Sequence, residues 1–254
     1  MSAPESSAPK AVFFLGATGG CGFATLRRCI EAGYACVALC RVPYKLTDKL
    51  SPKEREAVRI DEGNADDGDA VRRCLAHPSR PGAMVDYVIS SIGNEPSLQG
   101  MRNADSDVCR KGMDVLLQTI QALRADGVAG RPRIVGISST GLSSFARDLP
   151  LLMVPLYKVV LAIPHCDKKA MEDLMIASGE DWTVIRASGL TNGRATAGGS
   201  KVRAGMEIPQ EKKVETEAIG YTISREDVGR WIFEKIVQED QARAWVQRVA
   251  TITH

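Results

Sequence analysis

The stretch that most limits how this chain can fold is Val12-Phe13-Phe14-Leu15-Gly16-Ala17-Thr18-Gly19-Gly20-Cys21-Gly22. An apolar run of strand length stops at a glycine, further glycines follow at 19 and 22, and an amphipathic segment comes next. That is the order of a strand, a tight turn and a helix N-terminus. Glycine supplies positive φ and lets an anion approach the main chain without a Cβ in the way. The N–H groups and dipole of the following helix favour negative charge at the same place. A phosphate lying against backbone is the ligand such a turn suits.

The rest of the chain alternates in the same manner. Gly33 ends the helical pattern over 21–32 as a C-cap would, and residues 34–40 form a continuous apolar run suited to a parallel strand covered on both faces. Further strands are expected over 57–60, 84–90, 133–137, 182–186 and 245–252. Helices are expected over 69–75, 105–124, 151–163, 166–178 and 224–237, with Pro164 breaking the third from the fourth. Asp67 is placed to cap the helix over 69–75, and Ser224 with Asp227 resembles a capping box. Residues 193–217 are rich in Gly and Lys with weak periodicity, which suggests a small strand or hairpin plus a flap. With no repeat and no linker, the expectation is one α/β domain over 11–254: a doubly wound, mostly parallel Rossmann sheet with a small C-terminal substrate-binding portion. Pocket elements are expected at about 149–165 and 187–222. Residues 1–10, rich in Ser, Ala and Pro, read as a disordered tail and carry no apolar signal segment.

Composition narrows the function classes. A net charge of +2 with acids and bases interspersed gives no electrostatic case for nucleic acid or an anionic membrane. Seven cysteines without C-x-x-C or Cys/His ligand spacing read as small buried apolar residues in a reducing compartment, with no metal site. The apolar run over 149–163 is too short for a membrane span and is interrupted by Lys158. A cytoplasmic protein acting on a small molecule, as monomer or homodimer, is the resulting expectation.

In a parallel sheet the loops at the strands' carboxyl ends share one edge with the glycine turn, so Ser90-Ser91-Ile92, Ser138-Ser139 and the loop after 186 are natural ligand contacts. Arg41 stands at the end of the second strand, about 20 positions beyond the glycines, where an acid would accept from an adenosine 2′-hydroxyl and a cation suits a 2′-phosphate. No acid occupies that strand end and Lys45 lies just beyond, which reads as a preference for NADP over NAD. His77, beside Pro78 in a loop, and His254 read as surface residues.

The glycine turn has G-x-x-G-x-x-G spacing, not the G-x-G-x-x-G of many dehydrogenases. Together with Arg41, Glu172-Asp173-Leu174, the run from Ser178 to Ala187 and Ile223-Ser224-Arg225-Glu226-Asp227-Val228, it resembles the atypical short-chain dehydrogenase/reductase superfamily, in its NmrA-like, NAD(P)-binding branch. The resemblance covers nearly the whole chain after the tail. It implies that Gly16, Thr18, Gly19, Cys21 and Gly22 hold the pyrophosphate of NADP(H), that Arg41 meets the 2′-phosphate, and that Asn64 and Ala65 border the adenine. Ser90, Ser91 and Ile92 would run along the ribose, with Ala187, Ser188 and Leu190 beside the nicotinamide carboxamide. Ser139 would be the serine at the end of strand five, with Ser138 as its competitor.

One departure from the family matters more than these matches. Typical short-chain reductases use a Tyr-x-x-x-Lys pair on one helical face, the tyrosine delivering a proton as hydride arrives. Here the nearest equivalent is His165-x-x-x-Lys169; alignment on the Trp182 strand equally puts Lys168 at the lysine position, opposite Pro164. His165 is a candidate general acid or a helix-capping residue. The resulting expectation is an NADPH-dependent oxidoreductase acting on a small, largely apolar carbonyl or enone, with His165, Lys169 and Ser139 as catalytic candidates. The missing tyrosine keeps two other readings open: a non-redox isomerase or cyclase, and a dinucleotide-sensing regulator.

Overall fold

A computed structural model describes residues 8–93, 107–154, 162–193, 202–238 and 243–254. Strand β1 (Ala11–Leu15) is fully buried and lies between β2 (Ala35–Cys40) and β4 (Tyr87–Ser90), parallel to both. Successive side chains leave opposite faces of a strand. Val12 and Phe14 accordingly join one core, and Ala11, Phe13 and Leu15 the other. A side chain of this size contributes about 1.5–3 kcal/mol when fully buried, so β1 anchors both layers.

The first core is closed by α1 (Gly20–Glu31) and α7 (Arg225–Ile232), through Leu26, Cys29, Val228 and Trp231. The short helices α2 (Tyr44–Thr47) and α3 (Pro52–Glu56) connect β2 to β3 (Val58–Glu62). The second core is closed by α4 (Gly68–Leu75), α5 (Val108–Ala125) and α6 (Ala162–Ala177). Helices on both faces make the fold doubly wound.

With β5 (Arg133–Ser139), β6 (Trp182–Ala187), β8 (Arg203–Ile208), β9 (Lys213–Thr216) and β11 (Arg248–Thr253), the sheet runs β3-β2-β1-β4-β5-β6-β11-β8-β9. The strands from β3 to β11 in that order are mutually parallel, while β8 is antiparallel to both of its neighbours, β11 and β9. The order reverses between β1 and β4, and the crevice beyond their carboxyl ends is where such sheets bind ligands. A parallel pair, β7 (Gly189–Thr191) with β10 (Thr222–Ser224), extends from the loop after β6. Among the described residues no helix is long and apolar enough to cross a membrane.

Three expectations change. Pro164 does not separate two helices at Cys166: the described part of α6 runs without a break from Ala162 through Pro164 to Ala177. Residues 151–153 form a single 3₁₀ turn, and the remainder of the helix expected over 151–163 lies largely outside the described residues, as do residues 1–7 of the expected tail and 194–201 of the expected flap. The last strand starts at Arg248, not at 245, because Trp245 turns inward to pack edge-on against Trp231 with ring centroids 5.0 Å apart.

Candidate active site

The glycine turn and the loop after β4 are built into one another. Gly16 has φ of 90°, and a Cβ there would lie 2.8 Å from the Ser91 carbonyl carbon. A Cβ on Gly22 would lie 2.2 Å from Ser91 Oγ and 2.5 Å from the Gly16 oxygen. The Ser91 hydroxyl donates to that Gly16 oxygen at 2.8 Å, and the Ser91 N–H donates to Leu15 at 2.8 Å. Ser91 thus fastens the β4 loop to the turn. Gly19 caps α1 in extended backbone, with no side-chain cap and no acid in the first turn among the described residues. Amides left in that state suit an anion. Cys21 is buried, and desolvation pushes its thiol up to about 11 despite Arg225 and Lys168 nearby. It offers main chain, not a thiolate.

Cations surround this turn. Lys49 Nζ donates to the Thr18 carbonyl and lies 5.7 Å over the Phe23 ring. The Arg225 side chain passes 3.7 Å from where a Gly20 Cβ would be, and its Nη1 donates to Asn192 Oδ1 at 2.7 Å and to the Leu190 carbonyl at 3.3 Å. Arg41 is exposed just beyond β2. At the exit of β3, Asn64 Oδ1 accepts from the Ala65 N–H at 2.9 Å with Ala65 buried. Asp67 caps α4, accepting from the N–H groups of Asp69 and Ala70.

On the other side of the crevice, α6 determines which lysine faces the sheet. Asp167 accepts from the N–H groups of Cys109 and Arg110 at 2.9 and 2.8 Å, closing the first turn of α5 in place of Asp107, which makes no side-chain cap. With α6 locked in that rotation, Lys168 Nζ reaches the carbonyl oxygens of Ile92 and Ile137 at 2.8 and 2.7 Å. Lys169 is carried round to the outer face and pairs with Asp173, so it is not brought to the crevice. His165 is half-buried on α6. Burial lowers its pKa, only partly offset by Glu172, so the imidazole is neutral near pH 7 and hydrogen-bonds without a charge.

At the ends of β4 and β5, Ser90 and Ser138 are buried with hydroxyls that have no partner among the described residues, whereas Ser139 is partly exposed. At the end of β6 Ala187 is buried, and beyond it Ser188 Oγ donates to Thr253 Oγ1 at 2.9 Å and Leu190 is partly exposed. Next to this loop Arg186, buried in β6, donates to both Glu172 oxygens at 3.1 and 2.7 Å and to Glu207 at 3.0 Å. Burial opposes its charge, and the carboxylates of Glu172, Glu207 and Asp148 outweigh that and hold its pKa above the ordinary value.

Among known proteins, the profile of the NAD(P)H-binding family matches residues 16–239. The chain belongs to that family. Two relatives of this NAD(P)H-binding protein are the reductase pytE of Aspergillus terreus, 34% identical over 98% of this chain and 100% of its own, and the oxidase pynE of Aspergillus niger, 30% identical over 95% and 98%. The fold is that of a short-chain dehydrogenase/reductase from Veillonella parvula in complex with NADP, at TM-score 0.70 and 13% identity over 96% of this chain and 94% of that one. ChuY, an anaerobillin reductase from Escherichia coli O157:H7, has TM-score 0.65 and 18% identity over 96% of each chain. The short-chain dehydrogenase/reductase resemblance is borne out, and the chain is an oxidoreductase that takes a nicotinamide dinucleotide.

An uncapped glycine helix start with cations beside it, on the same sheet edge as two buried hydroxyls that have no partner among the described residues, fits a dinucleotide that carries several phosphate charges. Sequence reading missed Lys49, Arg225 and Asp167 as parts of this crevice. Lys49 and Arg225 are 30 and 205 residues from Gly19–Gly20 with nothing periodic to link them, although Arg225 does stand in the Ile223–Val228 motif. The surface position expected for His77 and His254 does not hold. His77 is buried, with Nδ1 accepting from the Ser79 N–H, and His254 Nε2 lies 3.0 Å from Oδ2 of buried Asp227.

Proposed function

We propose that this protein is a cytoplasmic, NADPH-dependent reductase of a small molecule bearing a carbonyl or enone, acting as monomer or homodimer. The observation that carries the reading is the Lys168 ammonium at the sheet edge, between the carbonyl ends of the β4 and β5 loops. In this role Lys168 exchanges one of those carbonyls for the hydroxyls of the nicotinamide ribose and orients the ring. Arg41 and Lys49 would hold the 2′-phosphate, and the amides of Gly19 to Gly22, with Arg225, the pyrophosphate. Asn64 and Ala65 border the adenine, Ser90, Ser91 and Ile92 the ribose, and Ala187, Ser188 and Leu190 the carboxamide. The bound dinucleotide supplies the hydride. Ser139, partly exposed at the strand end, and neutral His165 would donate hydrogen bonds to the substrate oxygen, with solvent replenishing the proton.

Four residues before Lys168 stands Pro164, so the tyrosine position of a Tyr-x-x-x-Lys pair is filled by proline. That single feature favours a second reading, a non-redox isomerase that keeps NADP(H) as a structural group. Titration with NADPH and NADH, followed by turnover with a panel of ketones and enones, separates the readings. The expected result is binding of NADPH about tenfold or more tighter than NADH, from the added charge-assisted contacts, and loss of nicotinamide absorbance with at least one enone. Product formation with no loss of absorbance would establish the second reading, and equal affinity for the two dinucleotides would remove the 2′-phosphate assignment.

A further inference from the structure

We propose that the substrate carries an anionic group, a carboxylate or an acidic enol in its ionised form, on an apolar body, and that this group is bound by Arg147 and Arg203. This rests on the oxidoreductase reading above and specifies the substrate class of that enzyme. A cavity of about 490 Å³ opens between the segment after β5, the start of β8, the approach to β10 and the end of β11. Because β8 is antiparallel to β11, with Arg203 in register with Thr253, the start of β8 lies at the carboxyl edge of the sheet. That is the edge on which the glycine turn and Lys168 lie. The cavity is therefore placed to receive the far part of a molecule whose reacting carbon is over the cofactor.

Among the described residues its charged side chains are of one sign. Arg147, Arg203 and His254 line it, together with Leu151, Leu152 and Tyr221, and no acidic side chain among those residues does. Arg203 is oriented by main chain: Nη2 donates to the main-chain oxygens of Ile219 and His254 at 2.9 and 2.8 Å, leaving Nε and Nη1 without a partner among the described residues. Arg147 is exposed and has no hydrogen bond or ion pair there at all. The His254 ring is fixed through Nε2 on Asp227, whose carboxylate is fully buried. Hydrogen bonds from Ser224 and His254, with Arg230 beside it, outweigh burial and keep the Asp227 carboxyl ionised below its ordinary pKa.

The apolar half is equally distinct, because Leu151, Leu152 and Tyr221 are 69%, 83% and 54% exposed side by side with the guanidinium groups. Planar guanidinium groups with unused donors match a flat, delocalised anion, and the leucines and the tyrosine ring match an apolar skeleton. An amphiphilic anion satisfies both sets at once. A neutral, wholly apolar substrate would leave the guanidinium groups facing it without return.

The test uses full-length protein saturated with NADP⁺, which occupies the anion site at the glycine turn. Binding of 2-naphthoate is compared with that of 2-naphthamide, its neutral counterpart, by calorimetry. The carboxylate is expected to bind about tenfold tighter, the size of one charge-assisted pair. Arg147→Met should abolish that preference without weakening the amide, and Lys213→Met, on β9 outside the cavity, should leave it intact. Because Arg147 is exposed and makes no hydrogen bond or ion pair among the described residues, its variant is expected to fold; Arg203→Met provides a second reading of the same preference. Equal binding of the two probes, binding of neither, or an unchanged preference in Arg147→Met would overturn the proposal. The titration with NADPH and NADH and the turnover assay described above report on the oxidoreductase reading separately, so the two can fail independently.

Discussion

At Lys168 and Lys169 the structure separates two residues that sequence leaves equivalent. Neighbouring positions on an α-helix point about 100° apart, so only one ammonium can face the sheet. Lys168 reaches the Ile92 and Ile137 carbonyls, and Lys169 forms an exposed i,i+4 pair with Asp173 worth about 0.3–0.5 kcal/mol. Lys168→Met is expected to weaken NADPH binding by about tenfold or more and to lower turnover further, since the ribose is then held by fewer charge-assisted contacts. Lys169→Met should leave both within about twofold, given how little an exposed pair contributes. Fluorescence titration with NADPH checks the pair, and the assignment fails if the Lys169 variant is the one that loses affinity. The same one-residue rotation explains why the Tyr-x-x-x-Lys comparison was ambiguous from sequence: His165 is four residues from Lys169 but three from Lys168, and both spacings share a helical face.

Elements are positioned here by side chains that cross between them. Asp167 belongs to α6 yet caps α5, binding two N–H groups that the sequence neighbour Asp107 leaves unsatisfied. Asp167→Ala is expected to destabilise the protein by about 2 kcal/mol, at the upper end for a lost cap because two bonds go together. It should also weaken NADPH binding, because the rotation of α6 that presents Lys168 is no longer fixed; Asp167→Asn, keeping one acceptor, should fall between. Urea denaturation midpoints and dinucleotide titration measure the two effects, and a change under about 0.5 kcal/mol, the range of an ordinary surface substitution, would show that α6 is held by other contacts. The inner strands β1 and β2 were legible because parallel strands buried on both faces are written as continuous apolar runs, as in residues 11–15 and 35–40. The glycine turn was legible because its backbone conformation restricts residue type. The cross-element cap was not, since an aspartate on a helix reads the same whether it meets solvent or a neighbouring helix. Pro164 was not legible because a proline that ends a helix and one that a helix runs through look the same in sequence.

Over the whole molecule, one buried cation ties together parts that the sheet order alone would leave loosely joined. Arg186 of β6 binds Glu172 of α6, Glu207 of β8, and approaches Asp148 of the segment after β5 at 4.0 Å. Glu172 is fully buried, so its charge is tolerated only with the bidentate guanidinium in place. Arg186→Met removes that partner and is expected to cost about 3–5 kcal/mol, whereas Arg186→Met combined with Glu172→Met should recover a large part of the loss, because a well-packed apolar pair replaces a buried ion pair at little net cost. The variant should also change its pH dependence. Desolvation already raises the Asp148 carboxyl, and Arg186 is the first influence opposing it, ahead of the Gly141 N–H. Without Arg186 the folded-state pKa of Asp148 rises further above its unfolded value, so the native state holds a proton that the unfolded chain has released. That contribution is fully present below the ordinary carboxylate range and is lost as pH rises through the folded value. Arg186→Met should therefore lose stability relative to the parent as pH increases from about 4, the unfolded aspartate value, toward neutrality. Parallel denaturation series across that range decide it, and a pH-independent difference between variant and parent would mean that Asp148 does not depend on the cation. Since the network borders both the loop after β6 and the wall that carries Arg147, its disruption should loosen the anion preference of the cavity before it affects dinucleotide binding at the glycine turn, which α1, α7 and β1 hold on the opposite face of the sheet.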